Sequence, residues 1–266
     1  MKFENKVVVV TGGGSGIGRE VVLQLLRRGA RVAAVDLRQE GLDETARRAA
    51  AGDSLATFVV DVADREATAA LPEKVVGRFG AVDALIHCAG IIQPFVTLNE
   101  LDYETIERVV NVNLYGTVHV VKAFLPTLLT RPEAHIANVS SMGGFLPVPG
   151  QTIYGATKAA VKLMTEGLYA ELLDTNVGVS VVMPGAVATD ITANSGVDAP
   201  QAGGNGKAPT MTSADKAAEI ILDGIEEGAL HIYVGRDSRT MSIINRLAPR
   251  RSTHLIQRQM RGLLAS

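Results

Sequence analysis

Short β-branched apolar runs alternate with longer segments of helical periodicity along this chain, and this alternation limits the fold more than any other feature. There are seven such runs, at 6–11, 31–36, 56–61, 83–88, 135–140, 177–183 and 230–235. Strands this apolar are expected to be buried on both faces, which favours a parallel sheet between two layers of helices. The sequence therefore predicts a single doubly wound α/β domain, with a seven-stranded parallel sheet flanked by helices.

Composition agrees with one globular domain and excludes several classes of protein. The chain has 266 residues and a formal net charge of −2, with both signs spread along most of its length, so we expect no nucleic-acid partner. Cys88 is the only cysteine in the sequence, which excludes an intramolecular disulfide and is compatible with a reducing compartment. The N-terminal "MKFENKVVVVTGGG" has too few apolar residues for a signal peptide or a membrane span. We expect a cytoplasmic protein.

A glycine-rich turn, "TGGGSGIG" at 11–18, follows the first run and precedes an amphipathic helix. A helix N-terminus offers unpaired N–H groups and a positive dipole end, and residues without side chains let a pyrophosphate reach the backbone. The turn therefore predicts a phosphate-bearing ligand, although a tight strand-to-helix turn also needs glycine for steric reasons. A nucleoside-triphosphate loop is disfavoured, because Arg19 stands where that motif requires lysine.

Asp36 ends the second run, 18 residues after Gly18, and favours NAD as the ligand. A carboxylate at this position can accept a hydrogen bond from a ribose 2′-OH and would repel a 2′-phosphate. Ser15 and Leu37 provide no cation that would bind a phosphorylated ribose. Arg38 is close enough in sequence to keep NADP as an alternative, and Asp36 could also be a solvated acid at the end of a strand.

Tyr154 and Lys158 are four residues apart at the start of a predicted helix, so their side chains share one face. A nearby ammonium would lower the pKa of the phenol from about 10 towards neutrality and make Tyr154 a proton shuttle. The same spacing also arises by chance on helix surfaces. Two further residues favour the catalytic interpretation. Ser141 follows the fifth run, at the sheet edge where ligands bind, and Asn113 lies on an apolar helix face that would bury its amide.

These features occur, together with others, in the order and spacing of a known family. They are "TGGGSGIG", Asp61-Val62, "CAG" at 88–90, Asn113, "SS" at 140–141, "YGATK" at 154–158 and "PGAVAT" at 184–189. Over about its first 235 residues the chain resembles the short-chain dehydrogenase/reductase family. The resemblance implies a Rossmann-type sheet, a homotetramer or homodimer, and the interconversion of alcohols and ketones with a nicotinamide cofactor.

The resemblance also implies roles for individual residues. Tyr154 would be the general acid or base on the substrate oxygen, and Ser141 would orient that oxygen. Lys158 would hold the nicotinamide ribose and lower the Tyr154 pKa, while Asn113 would support a water relay to Lys158. The residues expected to contact the cofactor are Gly12, Ser15, Gly16, Ile17, Gly18, Asp36, Leu37, Asp61, Val62, Cys88, Ala89, Gly90, Tyr154, Lys158, Pro184, Gly185, Val187 and Thr189.

Cys88 departs from the asparagine that is usual in this family. Its neighbour His87 should point to the opposite face of the strand, so a small buried apolar residue is a better interpretation than a thiol nucleophile. Ala89 and Gly90 preserve the close approach of the backbone, and we expect a modest effect on cofactor binding at most. The other histidines show no metal-ligand spacing, so no metal is assigned.

Substrate choice is expected to depend on residues 92–95, residues 142–151 and an irregular stretch at about 190–212. The first two carry Ile92, Phe95, Leu146 and Val148, which predict an apolar alcohol or ketone as the substrate. The leading function is an NAD-dependent dehydrogenase or ketone reductase. The alternatives are a 3-oxoacyl-thioester reductase that uses NADPH, and a cofactor-binding regulator without turnover, which the intact catalytic set disfavours.

The end of the chain is predicted to be a basic amphipathic extension at 239–266 that follows a catalytic domain at 1–238. Residues 236–261 contain seven arginines and one acid, Asp237, and two apolar stripes flank Pro249. We expect two terminal helices that pack on the subunit or on a partner. Contact with a membrane surface is the alternative that the charge pattern leaves open.

Overall fold

The computed structural model describes residues 1–197 and 211–260, and its centre is a parallel sheet. The strands are β1 (Val7–Thr11), β2 (Arg31–Asp36), β3 (Leu55–Val59), β4 (Ala84–His87), β5 (Ala134–Val139), β6 (Val177–Pro184), β7 (Val187–Ala188), β8 (Thr212–Ser213) and β9 (His231–Val234). Seven of them form the main sheet in the order β3-β2-β1-β4-β5-β6-β9, and all of its pairs are parallel. The direction of winding reverses between β1 and β4, which creates a crevice at the carboxyl ends of these two strands.

All seven predicted runs are strands of this sheet, with ends displaced by no more than two residues. The predicted doubly wound α/β fold is therefore confirmed. The central strands β1, β4 and β5 are buried along their whole length, as continuous apolar strands between two helical layers should be. The edge strands β3 and β9 are partly exposed.

Helices cover both faces of the sheet. They are α1 (Gly16–Arg27), α2 (Gln39–Ala49), α3 (Arg65–Ala69), α4 (Leu71–Phe79), α5 (Tyr103–Val110), α6 (Gly116–Leu129), α7 (Thr152–Leu172), α8 (Ile191–Asn194), α9 (Ala214–Glu226), α10 (Arg236–Leu247) and α11 (Pro249–Met260). On one face, Leu25 of α1 and Ile221 of α9 pack against the strands. On the other, Val75 of α4, Phe124 of α6 and Leu168 of α7 do so. The sheet is therefore enclosed between two apolar cores.

The stretch predicted to be irregular at about 190–212 has regular structure at both ends. It begins with the short helix α8 and ends with β8, which pairs with β7 in a separate two-stranded ribbon. The remainder of that prediction, at 198–210, lies outside the described residues.

The basic end of the chain folds as α10 and α11, and side chains of α10 bind the rest of the subunit. Ser238 Oγ donates to the Met183 carbonyl at 2.7 Å, and Asn245 Nδ2 donates to the Phe145 carbonyl at 2.7 Å. The buried Ser252 donates to Asn245 Oδ1 at 2.6 Å and thereby joins α11 to α10. Since α10 begins at Arg236, the predicted boundary after residue 238 falls inside a helix.

Within the described ranges, no helix combines the length and the apolar character that a membrane span requires. The residues from 261 onwards, which include part of the second predicted apolar stripe, lie outside these ranges.

Candidate active site

A cavity of about 850 Å³ lies at the carboxyl ends of the strands, in the crevice where the strand order reverses. Every residue predicted to be catalytic or to contact the cofactor lines this cavity, apart from Asn113. The shared set is Gly12, Ser15, Gly16, Ile17, Gly18, Asp36, Leu37, Asp61, Val62, Cys88, Ala89, Gly90, Ser141, Tyr154, Lys158, Pro184, Gly185, Val187 and Thr189.

The glycine turn leaves room for a phosphate at the start of α1. A Cβ atom on Gly18 would overlap the carbonyl oxygen of Gly12, and Gly12 itself has a φ of +69° with Ala89 N 3.0 Å from the position of a Cβ. The side chain of Ser15, which precedes α1, makes no capping hydrogen bond to the helix. The first amides of α1 are therefore left for another acceptor, and the residues of the turn fit a pyrophosphate-bearing cofactor.

Asp36 lines the same cavity as the glycine turn, and backbone amides hold its carboxylate. Its carboxylate accepts from Gly14 N at 3.0 Å and from Arg38 N at 3.1 Å. Arg19 is engaged elsewhere, because its Nε donates to Thr45 Oγ1 at 3.0 Å and its guanidinium also bonds to the Gly14 carbonyl. Asp36 and one cation, Arg38, therefore both line the cavity. Asp36 would favour the ribose 2′-OH of NAD, whereas Arg38 would favour the 2′-phosphate of NADP.

Tyr154 and Ser141 also line the cavity. Tyr154 is in the first turn of α7, and Ser141 follows β5, where its Oγ accepts from Gly143 N at 3.0 Å. Burial raises the pKa of Tyr154, and its hydrogen bond with Ser141 offsets only part of that rise. The phenol is therefore held in its neutral form well above neutral pH.

Lys158 is 5% exposed and lies one turn further along α7. Its Nζ donates to the Val139 carbonyl at 3.0 Å and is 5.9 Å from the centre of the Tyr154 ring. Burial lowers the pKa of Lys158 to about 8. Burial is the largest influence on the pKa of Tyr154 in this arrangement. That the Lys158 ammonium lowers this pKa stays a prediction.

Asn113 is fully buried behind the cavity rather than in its wall. It lies in a π-helical turn, Asn111–Tyr115, that joins α5 to α6. Its Oδ1 accepts from Ile91 N at 2.9 Å, and its Nδ2 donates to the Ile91 carbonyl at 2.9 Å and to Thr157 Oγ1 at 3.1 Å. The side chain therefore fixes the backbone after β4 against α7, while the water relay stays a prediction.

Sequence comparison agrees with this geometry. The family model described as short chain dehydrogenase matches residues 6–199. The chain belongs to the short-chain dehydrogenase family. Membership makes it an NAD(P)-dependent oxidoreductase. The Mycobacterium tuberculosis protein SadH, provisionally named an oxidoreductase, is 35% identical over 257 residues, which span 92% of this chain and 91% of SadH.

Two solved structures of short-chain dehydrogenases share the fold. The enzyme from Burkholderia phymatum, in complex with NAD, has a TM-score of 0.80 at 27% identity and covers 93% of this chain and 96% of its own. The enzyme from Burkholderia cenocepacia, in complex with NADP, has a TM-score of 0.81 at 27% identity and covers 96% of this chain and 99% of its own. The fold therefore occurs with either cofactor.

Cys88, which replaces the family's usual asparagine, lies in the cavity wall directly after β4. Burial raises the pKa of its thiol to about 12, which keeps it protonated and disfavours a nucleophilic role. The adjacent His87 is buried, its Nδ1 is paired with Thr11 Oγ1 at 2.8 Å, and burial lowers its pKa to about 3. No cluster of three His, Cys, Asp or Glu side chains in residues 1–197 and 211–260 could hold a metal ion.

The structure adds residues to this short-chain dehydrogenase site that the sequence analysis did not name. Met260 lines the cavity although it is distant in sequence from every motif, and so does Met211, which lies in the stretch at about 190–212 expected to affect substrate choice. Asn194 of α8 donates to Ser15 Oγ at 3.0 Å and so links α8 to the glycine turn. Asp237 of α10 accepts from Ala186 N at 2.8 Å, within "PGAVAT". The expected substrate stretch at about 190–212 contains Asn194 and Met211, whereas no local pattern marks Met260 or Asp237.

One substrate residue was predicted wrongly. Leu146 is fully buried in the protein and does not line the cavity, whereas Ile92, Phe95 and Val148 do. The amide of Leu146 donates to the Met142 carbonyl at 2.9 Å, in the turn that follows β5. Its apolar character therefore serves packing.

Proposed function

We propose that this protein interconverts a secondary alcohol and a ketone with NAD, and that Tyr154 is the general acid and base. The observation that carries the proposal is that Tyr154, Ser141 and Lys158 line one cavity together with the glycine turn and Asp36. A proton-transfer group and a dinucleotide site in a shared crevice are what hydride transfer to or from a carbonyl carbon requires.

The residues divide the proton chemistry among them. In alcohol oxidation, Tyr154 as phenolate accepts the hydroxyl proton while the carbinol carbon loses a hydride; in ketone reduction, neutral Tyr154 donates its proton to the carbonyl oxygen. Ser141 Oγ hydrogen-bonds to the same oxygen and orients it. Lys158 holds the ribose hydroxyls and, when charged, favours the phenolate. A nicotinamide cofactor, when bound, would accept the hydride in alcohol oxidation and supply it in ketone reduction.

The preference for NAD rests on Asp36. Its carboxylate oxygens keep lone pairs for a ribose 2′-OH after accepting from two backbone amides, and they would repel a 2′-phosphate. Arg38, which lines the same part of the cavity, is the residue through which NADP could bind instead.

Titration of the purified protein with NADH and with NADPH, followed by nucleotide fluorescence, tests the preference. We expect NADH to bind more tightly than NADPH, and Asp36→Ser should reduce the difference between the two affinities. Asp43→Ser is the control, because Asp43 is an exposed acid in α2 that does not line the cavity. Preferential binding of NADPH by the wild type would contradict the NAD assignment and favour the thioester reductase.

The cavity wall includes several apolar side chains that no predicted cofactor contact accounts for. They are Ile92, Phe95, Val148, Met211 and Met260, and they support an apolar alcohol or ketone as the substrate. A screen of secondary alcohols, sterols, polyols and hydroxyacyl thioesters with NAD would identify the class. Absence of turnover across the screen, with NADH binding intact, would favour the regulator without turnover.

Exposed apolar side chains and the contacts of the C-terminal helices support two proposals about partners and organisation. We propose a homo-oligomer, a dimer or tetramer, because large apolar side chains are exposed on α6 (Leu129), on α7 (Leu163) and directly after α7 (Leu173). We also propose that residues 239–266 are an extension that supports the catalytic domain at 1–238, since Asn245 binds the Phe145 carbonyl and Met260 lines the cavity. Membrane contact by this extension is not favoured, and a cytoplasmic location stays a prediction.

A further inference from the structure

The backbone that follows β4 connects three elements around the cavity. Ile91 is paired through both its N–H and its carbonyl with Asn113, at 2.9 Å each. The N–H of Ile92 donates to Ser195 Oγ at 3.0 Å, directly after α8. Gln93, the next residue, is fully buried and contacts the start of α7. The segment therefore joins the cofactor side of the cavity to the helix that carries Tyr154.

Gln93 supplies the hydrogen bonds that the first turn of α7 lacks. The residue before this helix, Gln151, makes no capping hydrogen bond to it. Gln93 Oε1 accepts instead from Ile153 N at 2.9 Å and from Tyr154 N at 3.0 Å. A helix begins with amides that have no partner within the helix, and a side-chain oxygen that satisfies them fixes where the helix starts. One of the two amides belongs to Tyr154 itself.

Two more hydrogen bonds hold the Gln93 side chain and backbone in place. Its Nε2 donates to the Gly150 carbonyl at 3.1 Å, and its own carbonyl accepts from Gln151 Nε2 at 2.8 Å. The orientation of the Gln93 amide is determined by its partners, because two donors face Oε1 and a carbonyl faces Nε2. The loop before α7 and the segment after β4 are thus bound to each other reciprocally.

We propose that Gln93 is a positioning residue for Tyr154: it holds the first turn of α7 so that the phenol lies beside Ser141. This inference rests on the proposed role of Tyr154 in proton transfer. Misplacement of a reacting group by about 1 Å can cost roughly a hundredfold in rate. Gln93 does not line the cavity, so it acts through the backbone of Tyr154 and not by contact with the substrate.

Three variants separate positioning from a merely structural role. Gln93→Met removes the acceptor and the donor while keeping the length of the side chain. Gln93→Glu, when protonated, restores an acceptor for the two amides and a donor for Gly150. Gln24→Met is the matched control, because Gln24 is also buried and its Nε2 joins α1 to Asp215 at 2.7 Å and 2.9 Å, away from the cavity. If Gln93→Met does not fold, Gln93→Asn replaces it.

Steady-state kinetics with the best alcohol from the screen is the first measurement. For Gln93→Met we expect kcat to fall by about 10- to 100-fold with KM and NADH affinity changed by less than about threefold. Gln93→Glu should recover most of kcat on the acidic side of its pH profile and lose it as the introduced carboxyl ionises. Gln24→Met should lower the stability of the protein and leave kcat, KM and NADH affinity unchanged. Equal kcat values for Gln93→Met and Gln24→Met would overturn the proposal.

A measurement without turnover distinguishes failure of this inference from failure of the proposed function. In NAD-loaded enzyme labelled at tyrosine Cζ, we expect the NMR resonance of Tyr154 to move in Gln93→Met, to return in protonated Gln93→Glu and to stay fixed in Gln24→Met. A Tyr154 resonance that stays fixed in Gln93→Met would refute positioning even if the enzyme oxidises no alcohol on the panel. If the resonance moves in Gln93→Met but Tyr154→Phe keeps its activity, then Gln93 positions Tyr154 and the proposed function of Tyr154 is refuted.

Discussion

Burial acts on Tyr154 and Lys158 in a way that keeps both side chains uncharged more readily than in water. It raises the pKa of Tyr154 and lowers the pKa of Lys158 to about 8. The Nζ of Lys158 donates to the Val139 carbonyl at 3.0 Å, and the missing Cβ of Gly90 leaves it room. Because a pKa of about 8 lies above neutral pH, the site near neutrality has a neutral phenol beside a mainly charged ammonium.

The lowered pKa of Lys158 predicts how cofactor binding depends on pH. The ammonium is the form that donates to ribose hydroxyls, so NADH affinity should weaken as pH rises through about 8 and Lys158 loses its proton. A hydrogen bond to a charged group contributes about 1.5–3 kcal/mol, so the loss should be tenfold or more. Fluorescence titration with NADH across the pH range measures it. Lys158→Met should bind weakly at every pH, and a flat profile in the wild type would argue against the ribose contact.

At the scale of elements, the sheet and the glycine turn could be predicted because their signals are local. A parallel strand buried on both faces is mainly apolar, as β1 is, and the spacing of the glycines in the turn before α1 can be read directly in the sequence. The cavity wall formed by Met260 and the cap formed by Gln93 could not be predicted. Each depends on a contact between segments far apart in sequence, and neither residue type indicates that contact.

Two glycines in helices predict opposite outcomes for the same substitution. Gly18→Ala places a Cβ against the Gly12 carbonyl oxygen, so we expect a loss of stability of about 1–3 kcal/mol together with weaker NADH binding. Gly77, in α4, has no atom within 4 Å of the position of a Cβ, so Gly77→Ala should stabilise by about 0.5–1 kcal/mol. Urea unfolding of both variants tests this. A tolerated Gly18→Ala would mean that the turn is looser than the structure has it.

At the scale of the whole molecule, large apolar side chains are exposed on several elements. Leu163 of α7 is 71% exposed, Leu173 directly after α7 is 61% exposed, and Leu129 of α6 is 45% exposed. Exposed aliphatic side chains of this size are candidates for an interface between subunits. Helix α10 is bound to the subunit through Asn245, and α11 is joined to α10 through Ser252.

The proposed homo-oligomer predicts a specific effect of charge on α7. Leu163→Glu should shift the molar mass from that of a dimer or tetramer towards a smaller species, because an unpaired carboxylate would be buried in the interface. Light scattering coupled to size-exclusion chromatography gives the mass. Leu247→Glu, at a position 79% exposed on α10, is the control and should leave the mass unchanged. A monomeric wild-type protein would show that the exposed face of α7 has another purpose.

The central claim is that Tyr154 transfers the proton in a short-chain dehydrogenase that uses NAD. Tyr154→Phe deletes the hydroxyl alone, so turnover of the alcohol found in the screen should fall by about 100- to 10,000-fold while NADH affinity stays nearly unchanged. Tyr103→Phe, at an 82% exposed tyrosine outside the cavity, should retain the wild-type rate. A Tyr154→Phe enzyme that keeps a near-normal rate would contradict the account.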